Sequence, residues 1–167
     1  LVCLATAYFR LGNLEECHRQ LRKIKLDQVT KEYVVWLAKL HSSMGNTEFA
    51  YQLIGRAVRA NPPVETAYAN QGVIALRLWS ETQDPAKRKI YLETSQNALR
   101  RHLQIEREDQ RIRFYYCNAL MSAKKLAKAR LELGKMLRSN TEEPCAYIFL
   151  GAVDSMQRDA TAAKKHW

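Results

Sequence analysis

The chain has 167 residues, of which 47% are apolar, and its 27 Lys or Arg outnumber its 17 Asp or Glu to give a formal charge of +10. This composition excludes a disordered tail, and the scarcity of Gly (6) and Pro (4) beside abundant helix-forming residues predicts an all-α chain. No apolar run reaches the roughly 18 to 20 residues that cross a bilayer, and the first residues lack the pattern of a signal peptide. Because the sequence does not start with Met, we expect a piece of a longer protein.

The first two predicted helix pairs, residues 1–30 and 31–63, carry the same pattern. LATAYFRLGNLEEC starts at Leu4 and LAKLHSSMGNTEFA starts at Leu37, 33 residues later. In each unit, apolar residues recur at the three-and-four spacing of one helix face, on both sides of a Gly-Asn dipeptide. Asn61-Pro62-Pro63 should end the second pair, since proline cannot continue a helix.

A third unit, residues 64–108, starts with Tyr68, Gly72 and Ala75 at the positions of Val34, Ala38 and His41. It is about eleven residues longer than the others. We expect an enlarged hairpin, in which the segment SETQDPAKRK (80–89) forms a loop before a second helix from about Ile90 to Ile105.

Two looser units follow. The fourth, residues 110–143, has Tyr116 and Cys117 on its first helix and a turn at 123–125 that lacks a Gly. The fifth, residues 144–167, starts with Tyr147 and Gly151 and is incomplete, because the sequence stops at Trp167.

This order of large and small residues resembles the tetratricopeptide repeat family. The resemblance implies a right-handed α-solenoid of antiparallel helix pairs, with four to five repeats in one domain (1–167) that belongs to a longer array. A single pair cannot bury its apolar side alone, so each pair stacks on the next. The predicted close contacts within pairs are Ala5 with Cys17, Ala38 with Ala50, and Gly151 with Ala163.

The resemblance also implies that the first helix of each pair lines a concave groove. The predicted groove residues are Phe9, Arg10, Lys39, Val73, Leu76, Arg77, Arg111, Phe114, Asn118, Met121 and Ile148. Such a surface suits an extended or helical peptide with apolar anchors. A subclass of these domains clamps a C-terminal carboxylate, but only Asn70 and Arg111 match its pattern, so this ligand is not predicted.

Positive charge is concentrated between Pro85 and Arg138, where 14 Lys or Arg face 5 Asp or Glu. The predicted basic patch consists of Lys87, Arg88, Lys89, Arg100, Arg101, Lys124, Lys125 and Lys128. Such a patch could bind nucleic acid or another polyanion such as an anionic glycan, or it could be a solvated helix surface.

Catalysis has little support in the sequence. We find no Gly-rich phosphate loop, no GxSxG and no HExxH. Cys3, Cys17, Cys117 and Cys145 form no CxxC pair and the histidines are dispersed, so neither a metal site nor a cofactor is predicted. Free buried thiols favour a cytoplasmic location and leave a periplasmic one open.

The leading hypothesis is therefore a non-catalytic scaffold that binds a protein or peptide partner in its groove. A polyanion-binding module that uses the basic patch is the alternative. A third option is self-association through the open apolar ends at Leu1 and Trp167.

Overall fold

The described part of the chain, in a computed structural model, comprises residues 1–60, 64–139 and 144–165, with side chains up to residue 158. Over these residues it forms nine helices and no strand. The helices are α1 (Val2–Arg10), α2 (Leu14–Arg22), α3 (Lys31–Ser43), α4 (Thr47–Arg59), α5 (Glu65–Glu81), α6 (Pro85–Ile105), α7 (Gln110–Ser122), α8 (Leu126–Ser139) and α9 (Pro144–Lys165). The helices of each pair pack against each other, α1 packs against α3, and from α3 onward each helix packs against the next, so the fold is an array of hairpins.

Three of the hairpins turn in the same way. Gly12 and Gly45 have φ of 75° and 84°, and Lys124 occupies the equivalent position in the fourth hairpin with φ of 56°. In each turn the next residue donates its amide to a carbonyl five residues earlier, as in Asn46 to His41 at 2.9 Å. This is the Schellman ending, which needs one left-handed residue. Lys124 therefore supplies, at a steric cost, the turn that glycine supplies in the first two repeats.

Small residues allow the helices of a pair to approach closely. Ala5 and Cys17 lie in one buried cluster, and Ala38 and Ala50 lie in another, all with 0% exposure. In the third pair the position equivalent to Ala38 is Gly72. A Cβ atom added there would lie 2.4 Å from Cγ of Leu99, so α5 and α6 are in backbone-to-side-chain contact.

The expected loop over residues 80–89 is wrong. The extra residues lengthen both helices of the third hairpin instead, so α5 has 17 residues and α6 has 21. The connection is only Thr82–Asp84. Asp84 accepts hydrogen bonds from the amides of Ala86 (2.8 Å) and Lys87 (3.3 Å), and Pro85 follows in the first turn, so α6 begins here rather than near Ile90.

The fifth unit also differs from the prediction. Residues 144–165 form one continuous helix, α9, so Gly151 and Ala163 are twelve residues apart on one axis, about 18 Å at 1.5 Å per residue. The predicted contact between them cannot form. Pro62, Pro63 and Trp167, to which other predictions refer, lie outside the described residues.

The predicted fold class is confirmed: this is an all-α solenoid with tetratricopeptide-like helix pairs. Its core is a series of small apolar clusters between successive helices rather than one central core. Within the described ranges, no helix combines the length and the hydropathy that a membrane crossing requires.

Candidate functional site: the concave groove

We number the helix pairs as repeats 1 (α1–α2), 2 (α3–α4), 3 (α5–α6) and 4 (α7–α8). A groove of about 740 Å³ runs along the first helices of repeats 2, 3 and 4. Its walls come mainly from α3, α5 and α7, with His102 at the end of α6 and Asp109 before α7 completing the floor. The first helices lie on the inner side because the second helices, α4 and α6, cover their outer faces. Side chains that the core does not use therefore collect along this inner surface.

Six of the predicted groove residues line this groove: Lys39, Val73, Leu76, Arg77, Arg111 and Asn118. Val73 lies at the centre, on the middle helix α5. Leu76 is only 7% exposed and belongs mainly to the core between α5 and α7.

The structure places the other five elsewhere. Phe9 packs against the cluster formed by Ala5, Cys17 and Leu40, beside the exposed Arg10. Phe114 packs against Phe149 of α9 with tilted rings and a centroid distance of 4.4 Å, and Met121 packs in the same cluster. Ile148 is 68% exposed on α9, outside the groove. The prediction assumes an ideal repeat. In the structure, Phe114 instead packs in the apolar cluster that α7, α8 and α9 form together.

The groove also contains aromatic side chains that the sequence did not assign to it: Trp36, Trp79 and Tyr115. Trp36 is 51% exposed, and the ammonium of Lys39 lies 4.8 Å from the centroid of its ring. Such a cation–π contact orients both side chains. The signal was present in the sequence as the i, i+3 spacing of the two residues on one helix.

Arg77 joins repeats 2 and 3 at one end of the groove. Its Nη1 donates to the carbonyl of Ser42 at 2.6 Å, and its Nε donates to Oε1 of Glu81 at 2.7 Å. The Ser42 carbonyl is in the last turn of α3, where the helix dipole favours a cation. Arg77 is therefore held in place by the protein and is a fixed positive charge on the wall.

At the opposite end, a His–Asp pair shapes the floor. Nε2 of His102 and Oδ2 of Asp109 are 3.0 Å apart, and Oδ1 of Asp109 accepts the amide of Ile112 at 3.0 Å, which caps α7. Burial acts to raise the pKa of Asp109, but the hydrogen bonds from Ile112 and His102 act in the other direction and the net shift is downward. The pair is thus used to start α7 and is not aimed at a ligand.

Arg111, Asn118 and Asn70 are among the polar side chains of the groove that keep groups for a ligand. Arg111 is exposed and Asn118 is half-buried, and neither makes a hydrogen bond to another side chain of the described residues. Asn70 uses its amide nitrogen to donate to the carbonyl of Thr66 at 2.7 Å, which leaves its carbonyl oxygen as an acceptor. The groove therefore offers the guanidinium of Arg111 and the amide of Asn118 on α7, and the amide oxygen of Asn70 on α5.

The predicted basic patch is divided by the structure. Lys87 and Arg101 are 14 residues apart on α6, about 21 Å along the helix axis. Arg100 and Arg101 lie near the end of α6, whereas the other six members lie at the hairpin tips. Some members are also engaged: Arg88 lies over Trp79, Arg101 over Tyr68, and Lys125 donates to Gln96.

The described residues contain no group of three His, Cys, Asp or Glu that could hold a metal ion. Burial raises the pKa of the Cys117 thiol to about 12 and also raises that of Cys17. Cys3 and Cys145 are exposed. Neither buried thiol lines the groove.

No protein-family model and no curated protein sequence matches this chain. Several solved structures share its fold. MamA (residues 41 to the end) from Desulfovibrio magneticus RS-1 aligns with a TM-score of 0.76 at 16% identity, over 97% of this chain and 86% of that one. MamA of MSR-1 aligns with a TM-score of 0.74 at 13% identity, over 99% and 87%. The thermophilic TPR protein TTC0263 from Thermus thermophilus aligns with a TM-score of 0.67 at 18% identity, over 93% and 80%. These similarities show that the chain has the tetratricopeptide-like repeat fold.

Proposed function

We propose that the chain is a non-catalytic protein-interaction scaffold whose groove binds an extended or helical segment of a partner protein. The observation that carries the proposal is the half-exposed Trp36, held by Lys39 on the wall of an open groove of about 740 Å³. Exposed aromatic side chains beside fixed polar groups are typical of peptide-binding surfaces.

The groups in the groove support binding rather than chemistry. Arg77 and Glu81 are used to join two repeats, and His102 and Asp109 are used to start α7. A nucleophile next to a base that a third group orients, as covalent catalysis requires, is not found among the described side chains of the groove. The accessible groups of the groove include the ring of Trp36, the apolar side chain of Val73 and the polar groups of Arg111, Asn118 and Asn70.

The test starts from a random library of 12-residue peptides, displayed on phage and selected against the whole chain. Peptides that bind should compete with one another, and their affinity should fall at least tenfold in Trp36→Ala. Tyr33→Ala is the matched control, because Tyr33 is also an exposed aromatic residue of α3 but lies outside the groove. Its affinity should change less than twofold.

The proposal is wrong if selected peptides bind equally well to Trp36→Ala and to a second groove variant, Val73→Asp, provided that both retain the helix content of the parent by circular dichroism. The same conclusion follows if Tyr33→Ala weakens binding as much as Trp36→Ala does.

A further inference from the structure

The outer surface has a charge pattern that repeats from one helix pair to the next. Each of the four second helices contains one fully buried small residue: Cys17, Ala50, Ser95 and Ala129, all 0% exposed. Six residues after each of them stands an exposed cation. These four cations are Lys23, Arg56, Arg101 and Lys135.

The constant spacing gives the cations a common direction. At about 100° per residue, a side chain six positions further along a helix points roughly 120° away from the buried residue, toward solvent. The second helices of a solenoid run in the same direction, so their ends lie along one edge of the array. This geometry predicts one cation per repeat in a row along this edge.

A second cation accompanies each of the first. Arg59 and Arg138 lie nine residues after the buried residue in α4 and α8, and Arg22 and Arg100 lie five residues after it in α2 and α6. We call these eight side chains the basic ridge: Arg22, Lys23, Arg56, Arg59, Arg100, Arg101, Lys135 and Arg138. Six of the eight are arginine, whose planar guanidinium fits a phosphate group with two hydrogen bonds.

Two of the arginines lie over a glycine of their own helix. The guanidinium of Arg59 lies 3.3 Å from the place where a Cβ of Gly55 would be, and that of Arg138 lies 4.0 Å from the equivalent place at Gly134. The segments Gly55–Arg59 (GRAVR) and Gly134–Arg138 (GKMLR) thus repeat one arrangement in repeats 2 and 4.

The charges of the basic ridge are largely uncompensated. Lys135 forms an ion pair with Glu132, and it is the one member that does so among the described residues. Arg56 donates to the carbonyl of Leu26, which leaves its charge unneutralised. The helix dipole favours a cation in the last turn of any helix. The dipole does not explain why the cation has the same angular position, relative to the buried small residue, in four helices.

The surroundings of the ridge distinguish between anionic partners. Single-stranded nucleic acid stacks its bases on exposed aromatic rings, and an aromatic ring beside the ridge, that of Tyr68, has the guanidinium of Arg101 over it at 5.6 Å from the centroid. A membrane surface would use clustered apolar side chains, but the exposed Ile90 and Ile105 are fifteen residues apart on α6, and α8 adds the exposed Leu131. A duplex requires only a row of cations that meets its phosphates.

We infer that the basic ridge binds the sugar–phosphate backbone of double-stranded nucleic acid, independently of base sequence and of the groove. The partner runs along the edge of the array and contacts successive repeats.

The experiment measures binding of a fluorescein-labelled 20-base-pair DNA duplex by polarisation at several salt concentrations. The ridge variant carries Arg56→Gln, Arg59→Gln, Arg100→Gln and Arg101→Gln, and its matched control carries Lys87→Gln, Lys89→Gln, Lys124→Gln and Lys128→Gln at the hairpin tips. Each lowers the formal charge from +10 to +6. Glutamine keeps the aliphatic stem of the side chain in place.

The ridge variant should lose at least tenfold in affinity, and its slope of log affinity against log salt should be smaller by about 3 to 4, since each phosphate contact contributes about 0.9. The hairpin-tip variant should lose less than threefold. A duplex RNA should bind within about tenfold of the DNA duplex, because the contacts are to phosphate.

Three results would overturn the inference. The first is an equal loss in both variants, which would mean that only net charge matters. The second is no loss in the ridge variant. The third is tighter binding to poly-glutamate or to phosphatidylserine vesicles than to either duplex, which would assign the ridge to another partner. Unchanged circular dichroism and unchanged peptide binding in the groove verify that the ridge variant is folded.

Discussion

Repeats 2 and 3 reach the same architecture through different hairpins. In repeat 2, two 13-residue helices are joined by a turn at Gly45 with φ of 84°, and the side chain of Asn46 makes no capping hydrogen bond to α4. In repeat 3, longer helices are joined without a left-handed residue, and Asp84 caps α6. Both keep a small residue where the helices meet, Ala38 or Gly72. The comparison indicates that close packing is required and that the form of the turn is free to vary.

The largest expected effect on stability tests whether close packing between the two helices is required. Gly72→Ala should destabilise the chain by about 1 to 3 kcal/mol, because the added Cβ would lie 2.4 Å from Cγ of Leu99 and the core is already filled. The measurement is urea unfolding followed by circular dichroism.

Gly151→Ala is its control. Gly151 is exposed within α9, and nothing lies within 4 Å of an added Cβ. There the same substitution should stabilise the helix by up to about 1 kcal/mol, since alanine has the higher helix propensity. If both variants are stabilised, close contact is not what distinguishes repeat 3.

A smaller effect on stability tests the difference between the two turns. Asp84→Ala should cost about 1 kcal/mol, because two amides of the first turn of α6 lose their acceptor. Asn46→Ala, at the equivalent position of repeat 2, should change stability by less than about 0.5 kcal/mol, since no cap is lost. Equal costs in the two variants, measured by thermal or urea unfolding, would contradict the difference between the two turns.

A pH-dependent effect concerns a bond that links the two hairpins. Tyr91 of α6 donates its hydroxyl to Glu48 of α4 at 2.9 Å, and burial together with this bond raises the pKa of Tyr91 to about 12. The raised pKa means that the folded state keeps a proton that the unfolded state loses near pH 10. This contribution to stability is therefore complete below pH 10 and is lost as pH rises toward 12.

An ultraviolet titration of tyrosine ionisation should show one phenol that titrates near pH 12, absent in Tyr91→Phe. The variant should also show a weaker loss of stability between pH 10 and 12 than the parent. A titration identical in the two proteins would show that Tyr91 is not held as the structure indicates.

Much of the fold could be predicted because the order of small and large residues defines the repeat. Ala5, Cys17, Ala38 and Ala50 are all fully buried, as the spacing predicts. The long hairpin could not be predicted from the repeat pattern because its signal is local: Asp84 followed by Pro85 marks a helix start, but the polar segment around it is also typical of a loop. Periodicity alone does not show that both helices are extended.

The groove could be predicted only in part, since its limits depend on neighbouring repeats. Lys39 and Val73 follow the repeat pattern and line the groove. Phe114 follows the same pattern, but Phe149 of α9 covers it, and no pattern within α7 reveals this contact. The sequence does not reveal the basic ridge because repeat 3 contains extra residues, and the burial of Ser95 is needed to align this repeat with Cys17, Ala50 and Ala129.

The polar bonds between repeats 2 and 3 have a mechanical consequence. Besides Tyr91–Glu48, the two repeats share the hydrogen bonds Arg77–Ser42, Thr47–Glu81 and Tyr51–Thr94, at both the inner and outer surfaces. Bonds on two sides of a joint resist flexing in either direction. Trp36 of repeat 2 and Val73 of repeat 3 therefore keep a fixed separation. A segment bound in the groove would meet these two side chains at a constant distance, and any bending of the array would occur between other repeats.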